Sequence, residues 1–292
     1  MLTPLTPSII TNAVPCAFWA VVQICRDPVS LSRIHEELRS STCTMSPSNL
    51  SRTSSRVEPQ SNLVKDDPTA ESQSPTALPP LSPLPILEVE SLLRKPFLLL
   101  IYAETLRLYV RVYITRCPER SDLQINDWIF PKNKVILVAS DPAHFDSQIW
   151  NTSNGRHPLN KFWAERFLLR AGDDSSGPVR NLEGHNAEGS INPLKGRLGQ
   201  ESNLQPATLE SPVRFTMNGL YGSWIPYGGG SRACPGRHFA KREILFTCAM
   251  LLAAFDIEIL AHEEDLKIAG GRYGFGAQYP AGKILARIRK RY

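Results

Sequence analysis

The segment His238–Leu260, near the C-terminus, is apolar on nearly every side of the helix that its residue spacing predicts. A helix without a polar face has no side to present to water, so the rest of the chain must enclose it. Most of its apolar residues are large: Phe239, Ile244, Leu245, Phe246, Met250, Leu251, Leu252 and Phe255. We therefore predict a long helix here, with residues 238–255 at the centre of the fold.

The N-terminal part of the chain contains a second segment of this kind. Residues Asn12–Cys25 are apolar nearly all round, which predicts another buried helix. Asp27 and Pro28 follow, and they suit the cap and the first position of a new helix. The segment Val29–Arg39 has apolar residues on one face and charges on the other. We predict a buried helix, a sharp corner and a short surface helix.

The middle of the chain changes from helical to strand-like spacing. Glu90–Val112 has helical spacing, and Pro96 is expected to divide it into two helices. Between residues 110 and 140, short β-branched and aromatic runs alternate with turn residues, which predicts a small sheet. The following residues, 141–170, are irregular and rich in aromatic side chains. The predicted fold class is therefore mainly α with a small β-sheet.

Composition divides the chain into three parts. Residues 41–85 contain ten serines and eight prolines and no aromatic residue, which is typical of a disordered insertion. A solvated loop is the simplest interpretation, and a tail regulated by phosphorylation is the alternative. We expect residues 1–40 to hold the two N-terminal helices and residues 86–292 to form the core. Within that core, the polar residues 171–212 are predicted to form a surface loop.

The segment Trp224–Ala240 has the clearest chemical signal. Cys234 ends a glycine-dense loop and directly precedes the predicted buried helix, where free backbone amides favour a thiolate. Pro235 suits the first helical turn, and Arg232 is able to hold a carboxylate through paired hydrogen bonds. A thiolate, an arginine, glycines that allow close approach and Tyr227 together fit a metalloporphyrin.

Three other kinds of site would use the same residues. A zinc site built on Cys234 and His238 lacks a second pair of ligands. A phosphate-binding loop lacks the Gly-Lys-Ser/Thr ending, and a cysteine nucleophile lacks an obvious base and orienting group. The other five cysteines are expected to be inert buried or surface thiols: Cys16, Cys25, Cys43, Cys117 and Cys248.

These residues resemble the haem loop of the cytochromes P450, which are haem-thiolate monooxygenases. The family pattern is F-x-x-G-x-R-x-C-x-G-x-x-x-A, and this chain departs from it only by tyrosine in place of phenylalanine. The matching residues are Tyr227, Gly230, Arg232, Cys234, Gly236 and Ala240. The resemblance is to the C-terminal half of the family, and above all to fungal members of secondary metabolism. It implies a partial cytochrome P450 fold and haem ligated by Cys234, with the glycines, Arg232 and the ring at 227 around the cofactor.

Further motifs occur in the family's order. Glu104 and Arg107 match its E-x-x-R helix, where a spacing of three places both charges on one face. Arg166, in a segment that resembles P-E-R-F, would complete a Glu–Arg–Arg triad. Arg116 resembles the residue that binds the second haem propionate. His144 is expected to be a structural hydrogen-bonding residue rather than a metal ligand.

The segment around Asn12 resembles the distal half of the helix that crosses the haem. Asn12 matches the acid or amide of the oxygen-activating pair, but Ala13 follows it where many members have threonine. We therefore also consider a haem-thiolate isomerase or dehydratase. The resemblance covers about half of a family member, without the membrane anchor, so the chain is expected to be soluble and catalytically compromised. A truncated remnant or an incomplete gene model is the non-enzymatic alternative.

The function that the resemblance implies is oxidation of a small apolar metabolite, most simply hydroxylation. It would use O2 and electrons from NADPH through cytochrome P450 reductase at the endoplasmic reticulum, where family members reside. The balance of 33 Lys and Arg against 28 Asp and Glu, a net charge of +5, requires no nucleic-acid partner.

Overall fold

The computed structural model describes residues 6–39, 87–180 and 213–291. The predicted insertion at 41–85 and most of the predicted loop at 171–212 lie outside the described residues. The helices are α1 (Thr6–Arg26), α2 (Pro28–Arg39), α3 (Val89–Leu92), α4 (Pro96–Tyr109), α5 (Ser140–His144) and α6 (Arg237–Ala254). The strands are β1 (Val110–Arg116), β2 (Leu123–Ile125), β3 (Trp128–Phe130), β4 (Ile136–Ala139), β5 (Leu168–Arg170), β6 (Val213–Phe215), β7 (Phe255–Ile259), β8 (Phe275–Ala277) and β9 (Ala286–Lys290).

The corner between α1 and α2 forms as the sequence predicts. The Asp27 carboxylate accepts hydrogen bonds from the backbone N–H groups of Val29 and Ser30, both at 3.2 Å. These bonds satisfy amide groups that have no partner within the first turn of a helix. The prediction of a buried helix followed by a short one is confirmed. Within the described residues, no helix combines the length and the hydropathy needed to cross a bilayer.

Helices α1, α4 and α6 form the core. Every residue of α4 after Pro96 is buried, including Glu104 and Arg107. Helix α1 packs against α6, and the Cys248 thiol donates to the carbonyl oxygen of Ala17 with a sulfur–oxygen distance of 3.6 Å. Burial of these faces supplies the main driving force for the fold.

The predicted central helix ends earlier than expected. Helix α6 stops at Ala254, and residues Phe255–Ile259 form strand β7, which pairs antiparallel with β9. The prediction of helix up to Leu260 was therefore wrong, because apolar Phe255, Ile257 and Ile259 alternate with two acidic residues at the spacing of a strand. The first turns of α6 are also more exposed than predicted, with Phe239 56% exposed.

The predicted sheet at 110–140 takes a further strand from the C-terminal part of the chain. Strand β1 lies between β4 and β8, antiparallel to both, in the order β4-β1-β8. Strands β2 and β3 form a separate hairpin, and β5 pairs with β6. The three-stranded sheet thus carries residues that follow α4 directly, and it brings the segment around Phe275 beside Val112.

Candidate cofactor site around Cys234

The loop before α6, residues Ser223–Gly236, folds back on itself. Gly228 and Gly230 have φ angles of +75° and +67°, a left-handed conformation that glycine adopts without the penalty of a Cβ. The N–H of Cys234 donates to the carbonyl oxygen of Tyr227 at 2.9 Å. This bond closes the loop and places Cys234 directly ahead of α6, whose N-cap is Gly236.

The Cys234 thiol is exposed, unlike the buried thiols of the core. Burial raises the pKa of Cys16 to about 12 and that of Cys25 to about 11, and it raises the pKa of Cys248 further. Those three side chains therefore stay protonated and unreactive. Cys234 lies two residues before Gly236, the N-cap of the 18-residue helix α6, so its sulfur is next to the positive end of the helix dipole. Cys117 is also exposed, but strand β2 follows it in the chain rather than a helix.

Two aromatic side chains anchor the loop to α4. The hydroxyl groups of Tyr227 and Tyr102 are 2.9 Å apart and share a hydrogen bond. The Trp224 indole N–H donates to the carbonyl oxygen of Ala103 at 3.0 Å. Tyr102 was missed by sequence reasoning, although the tyrosine at 227, where the family pattern has phenylalanine, signalled a hydroxyl that needs a partner when it is buried.

We predict that Tyr227→Phe destabilises the protein by about 1 kcal/mol, because it leaves the buried Tyr102 hydroxyl without this partner. Urea unfolding measures the change. Tyr221→Phe is the matched control, because Tyr221 is 87% exposed and its loss should leave the midpoint unchanged. Equal midpoints for the two variants would show that the Tyr102–Tyr227 bond contributes nothing.

The two predicted carboxylate-binding arginines both belong to this region. The Arg116 guanidinium donates to the carbonyl oxygen of Gly229 at 2.8 Å, which ties the end of β1 to the loop. Arg232 lies on the loop itself and is exposed. Among the described residues, no carboxylate lies within salt-bridge distance of Arg232, so its guanidinium is open to an anionic group. A carboxylate group bound beside Cys234 would therefore have two arginines in the same region, Arg232 on the loop and Arg116 at the end of β1.

A buried ion cluster lies on the other side of α4. Arg107 donates twice to the Glu104 carboxylate, both bonds at 2.8 Å, and Arg166 donates to the same carboxylate at 3.3 Å. All three side chains are fully buried. The structure thus brings together the three residues that the sequence analysis grouped as a triad.

Backbone groups supply further hydrogen bonds to the cluster, although Arg166 Nη2 is buried without a partner among the described residues. Arg107 also donates to the carbonyl oxygens of His144 and Leu159, at 2.9 and 2.8 Å. Arg166 donates to the carbonyl oxygen of Asn151, and the Trp163 N–H donates to Glu104 at 3.2 Å. Burial lowers the pKa of Arg166, and the Glu104 carboxylate opposes that shift. Because buried charges are tolerated only when they are paired and hydrogen-bonded, the cluster fixes the segments that supply these groups.

Asn12 lies at a different place from the loop. Its side-chain oxygen accepts a hydrogen bond from the N–H of Ala277 at 3.0 Å, and the Arg272 guanidinium lies 3.4 Å from it. Gly276 packs so closely that an added Cβ would lie 2.2 Å from this oxygen. In this structure Asn12 therefore joins the start of α1 to β8.

Comparisons with known proteins agree with this geometry. The family model for cytochrome P450 matches residues 211–285, the part that contains the Cys234 loop. The chain is 32% identical over 287 residues to cytochrome P450 monooxygenase efuG of Hormonema carpetanum, covering 96% of this chain and 41% of that protein. It is 31% identical to cytochrome P450 monooxygenase fsoE of Humicola fuscoatra, covering 96% of this chain and 40% of the relative.

A solved structure has the same fold. Cyanobacterial CYP120A1 with retinoic acid bound superimposes with a TM-score of 0.51 at 18% sequence identity, over 97% of this chain and 43% of the neighbour. The chain spans about two fifths of the length of the curated relatives it matches. The family model, the fungal relatives and the shared fold show that the chain belongs to the cytochrome P450 superfamily, of which it holds a C-terminal part.

Proposed function

We propose that this chain is the haem-binding part of a monooxygenase that oxidises a small apolar molecule, and that the Cys234 sulfur would bind the haem iron. One observation carries the proposal: an exposed thiol at the N-terminus of a long, partly buried helix, closed into a glycine-rich loop. The fungal relatives are named as cytochrome P450 monooxygenases, which supports the reaction class. Haem held by a cysteine thiolate is the cofactor that the family implies.

The residues around Cys234 fit such a cofactor. The thiol is exposed, so the iron of a haem can reach the sulfur without rearrangement of the core. Gly229 and Gly230 have no heavy atom within 4 Å of an added Cβ, which leaves open space beside the loop. Arg232 has no carboxylate partner among the described residues. The donor set of one thiolate and two guanidinium groups therefore matches an iron porphyrin that bears carboxylates.

Haem ligated by a thiolate supplies activation of O2, because the sulfur pushes electron density toward the iron and favours O–O cleavage. The chain supplies the setting for this chemistry. The start of α6 places the positive end of the helix dipole next to the Cys234 sulfur. Arg232 and Arg116 would hold the carboxylates of the ring. Gly236 keeps a side chain away from the sulfur, since a Cβ added there would lie 3.8 Å from Cys234 Sγ.

An apolar substrate is supported by the aromatic surface of the three-stranded sheet. Phe275 on β8 is 75% exposed and pairs with Val112 on β1, and Tyr113, the next residue on β1, is 43% exposed. The rings of Tyr113 and Tyr273 are in edge-to-face contact, with centroids 5.8 Å apart. Exposed aromatic rings on adjacent strands are typical of surfaces that bind an apolar molecule. The Asn12 link to Ala277 holds this part of the sheet against α1.

Family members generally use redox partners. The opening of α6 supports such a partner here, because it carries the basic side chains Arg237, Lys241 and Arg242, the last paired with Glu90, and no acidic residue before Glu243. A basic surface directly after the ligand loop suits an acidic partner and an electrostatically steered encounter. We propose that NADPH–cytochrome P450 reductase is this partner.

The proposal is tested by supplying haem to the 292-residue chain. We expect the reduced protein with carbon monoxide to show the Soret band of thiolate ligation, because Cys234 is accessible and its loop is closed. Absorption spectroscopy of the purified complex measures the band. A band typical of imidazole ligation, or no haem retained after gel filtration, would overturn the proposal.

A further inference from the structure

His144 links the buried ion cluster to the loop that carries Cys234. It is the last residue of α5 and is fully buried. Its backbone carbonyl oxygen accepts a hydrogen bond from Arg107 at 2.9 Å. Its ring atom Nε2 accepts a hydrogen bond from the N–H of Ile225 at 3.0 Å. One residue therefore contacts the cluster with its backbone and the loop with its side chain.

The ring is held in one protonation state and one tautomer. Because Nε2 accepts the Ile225 N–H, the proton of the neutral imidazole must reside on Nδ1. Nδ1 is buried near the backbone of Arg107 and Val110, without a hydrogen-bond partner of good geometry. Burial, together with the positive charges of Arg107 and Arg111, lowers the pKa of His144 from its usual value of 6.5 to about 3.

The charged groups around His144 all oppose its protonation or are already paired. Arg107 on α4 and Arg111 on β1 both face the ring as cations. Asp141, on the same helix as His144, is paired with Arg111 at 3.0 Å. Glu104 is paired with Arg107. The ring is therefore available as a neutral acceptor across the physiological pH range.

The His144 ring anchors the first part of the loop, where Ile225 lies. The neighbouring Trp224 and Tyr227 are anchored to α4 by their side chains, whereas Ile225 is anchored by its backbone N–H. A backbone bond sets the path of the chain more tightly than a side-chain bond, because no χ rotation separates it from the main chain. Loss of the acceptor would leave a half-buried amide without a partner at the point where the loop turns toward Cys234.

We propose that His144 is the positioning residue of the loop Ser223–Gly236. Its neutral ring accepts the Ile225 N–H, so the rigid Glu104–Arg107–Arg166 cluster also fixes the position of the Cys234 sulfur. The part that concerns the sulfur rests on the proposed function. The part that concerns the loop does not, and the two are measured separately.

The test uses three variants of the full chain. His144→Phe keeps the ring volume and removes the acceptor. His144→Gln keeps an acceptor oxygen at about the reach of Nε2 and is the conservative rescue. Trp150→Phe is the matched control, because Trp150 contacts the cluster through Arg107 and donates to the carbonyl oxygen of Ala143 on α5, so it anchors the same helix at another point.

The first measurement needs no cofactor. Hydrogen exchange of the peptide that contains Ile225 should become at least about tenfold faster in His144→Phe, and stay near the wild-type rate in His144→Gln and Trp150→Phe. The pH profile gives a second signature. Because the unfolded chain binds a proton at His144 near pH 6.5 and the folded chain only near pH 3, this group lowers stability as pH falls through that window, and His144→Gln should lack that component.

The second measurement uses haem. We expect His144→Phe to give a smaller share of the thiolate band in the reduced carbon monoxide complex, and His144→Gln to restore it. Equal exchange of Ile225 in all variants would overturn the proposal even if the wild type binds haem through Cys234. If the wild type shows no thiolate band, the proposed function fails, and the exchange measurement still decides the role of His144 in the loop.

Discussion

Replacing Cys234 with serine is expected to abolish the thiolate band of the reduced carbon monoxide complex, with a loss of at least tenfold in its intensity. The serine hydroxyl has nearly the same size, but it does not ionise near neutral pH and is a poor ligand for iron. The thiol is exposed and makes no packing contribution to the core, so the variant should fold as the wild type does. Absorption spectra and circular dichroism of the same samples separate ligation from folding.

Cys117→Ser is the matched control for this experiment. Cys117 is the other exposed thiol among the described cysteines, and it follows Arg116 at the end of β1. If both exposed thiols bound iron, either substitution would weaken the band. We expect the Cys117 variant to keep the full thiolate signal. A Cys234→Ser protein that retained the band would show that another residue is the ligand.

Glu104→Gln is expected to destabilise the protein by about 3–5 kcal/mol, because it removes the only acidic side chain of a fully buried cluster. Two guanidinium groups, those of Arg107 and Arg166, would then face each other without a counter-charge. A loss of this size is a large fraction of the stability of a typical domain. Urea unfolding with a two-state fit measures it, and the amide keeps the volume of the site so that no cavity forms.

Two further variants show whether charge pairing is the cause. Glu90→Gln removes one partner of the exposed pair Glu90–Arg242, and it should change stability by less than about 1 kcal/mol. The double variant Glu104→Leu with Arg107→Met removes both partners of the shortest pair, and it should recover part of the loss of Glu104→Gln. A Glu104→Gln protein as stable as Glu90→Gln would mean that the cluster does not hold the fold together.

The sequence pattern predicted the elements that depend on neighbouring residues. The structure has the helices α1, α4 and α6 that apolar spacing predicts, the cap at Asp27 and the break at Pro96. Each of these features depends on residues within one or two helical turns of one another. The loop chemistry was also visible, because Cys234, its glycines and the following helix are contiguous in the chain. Local spacing is sufficient in these cases, since the interaction partners are close in sequence.

Elements that need a distant partner were missed or misplaced. Strand β7 was predicted as helix because Phe255 continues the apolar run of α6, and only pairing with β9 at the C-terminus makes the strand stable. Strand β8 joins β1 from a segment that gave no strong strand signal. A strand gains its hydrogen bonds from another strand, whereas a helix makes them within itself, so strand prediction depends on the path of the whole chain.

The site divides in the same way. The roles of Glu104, Arg107 and Cys234 were predictable from the sequence, because their residue types and spacing place them on one helix face or in one loop. Tertiary structure alone decided that the Tyr102 hydroxyl meets Tyr227 and that the His144 ring meets the N–H of Ile225, 81 positions away in the chain. The physical reason is that a hydrogen bond requires its two atoms within about 3 Å, and only the packing of α4, α5 and the loop sets those distances.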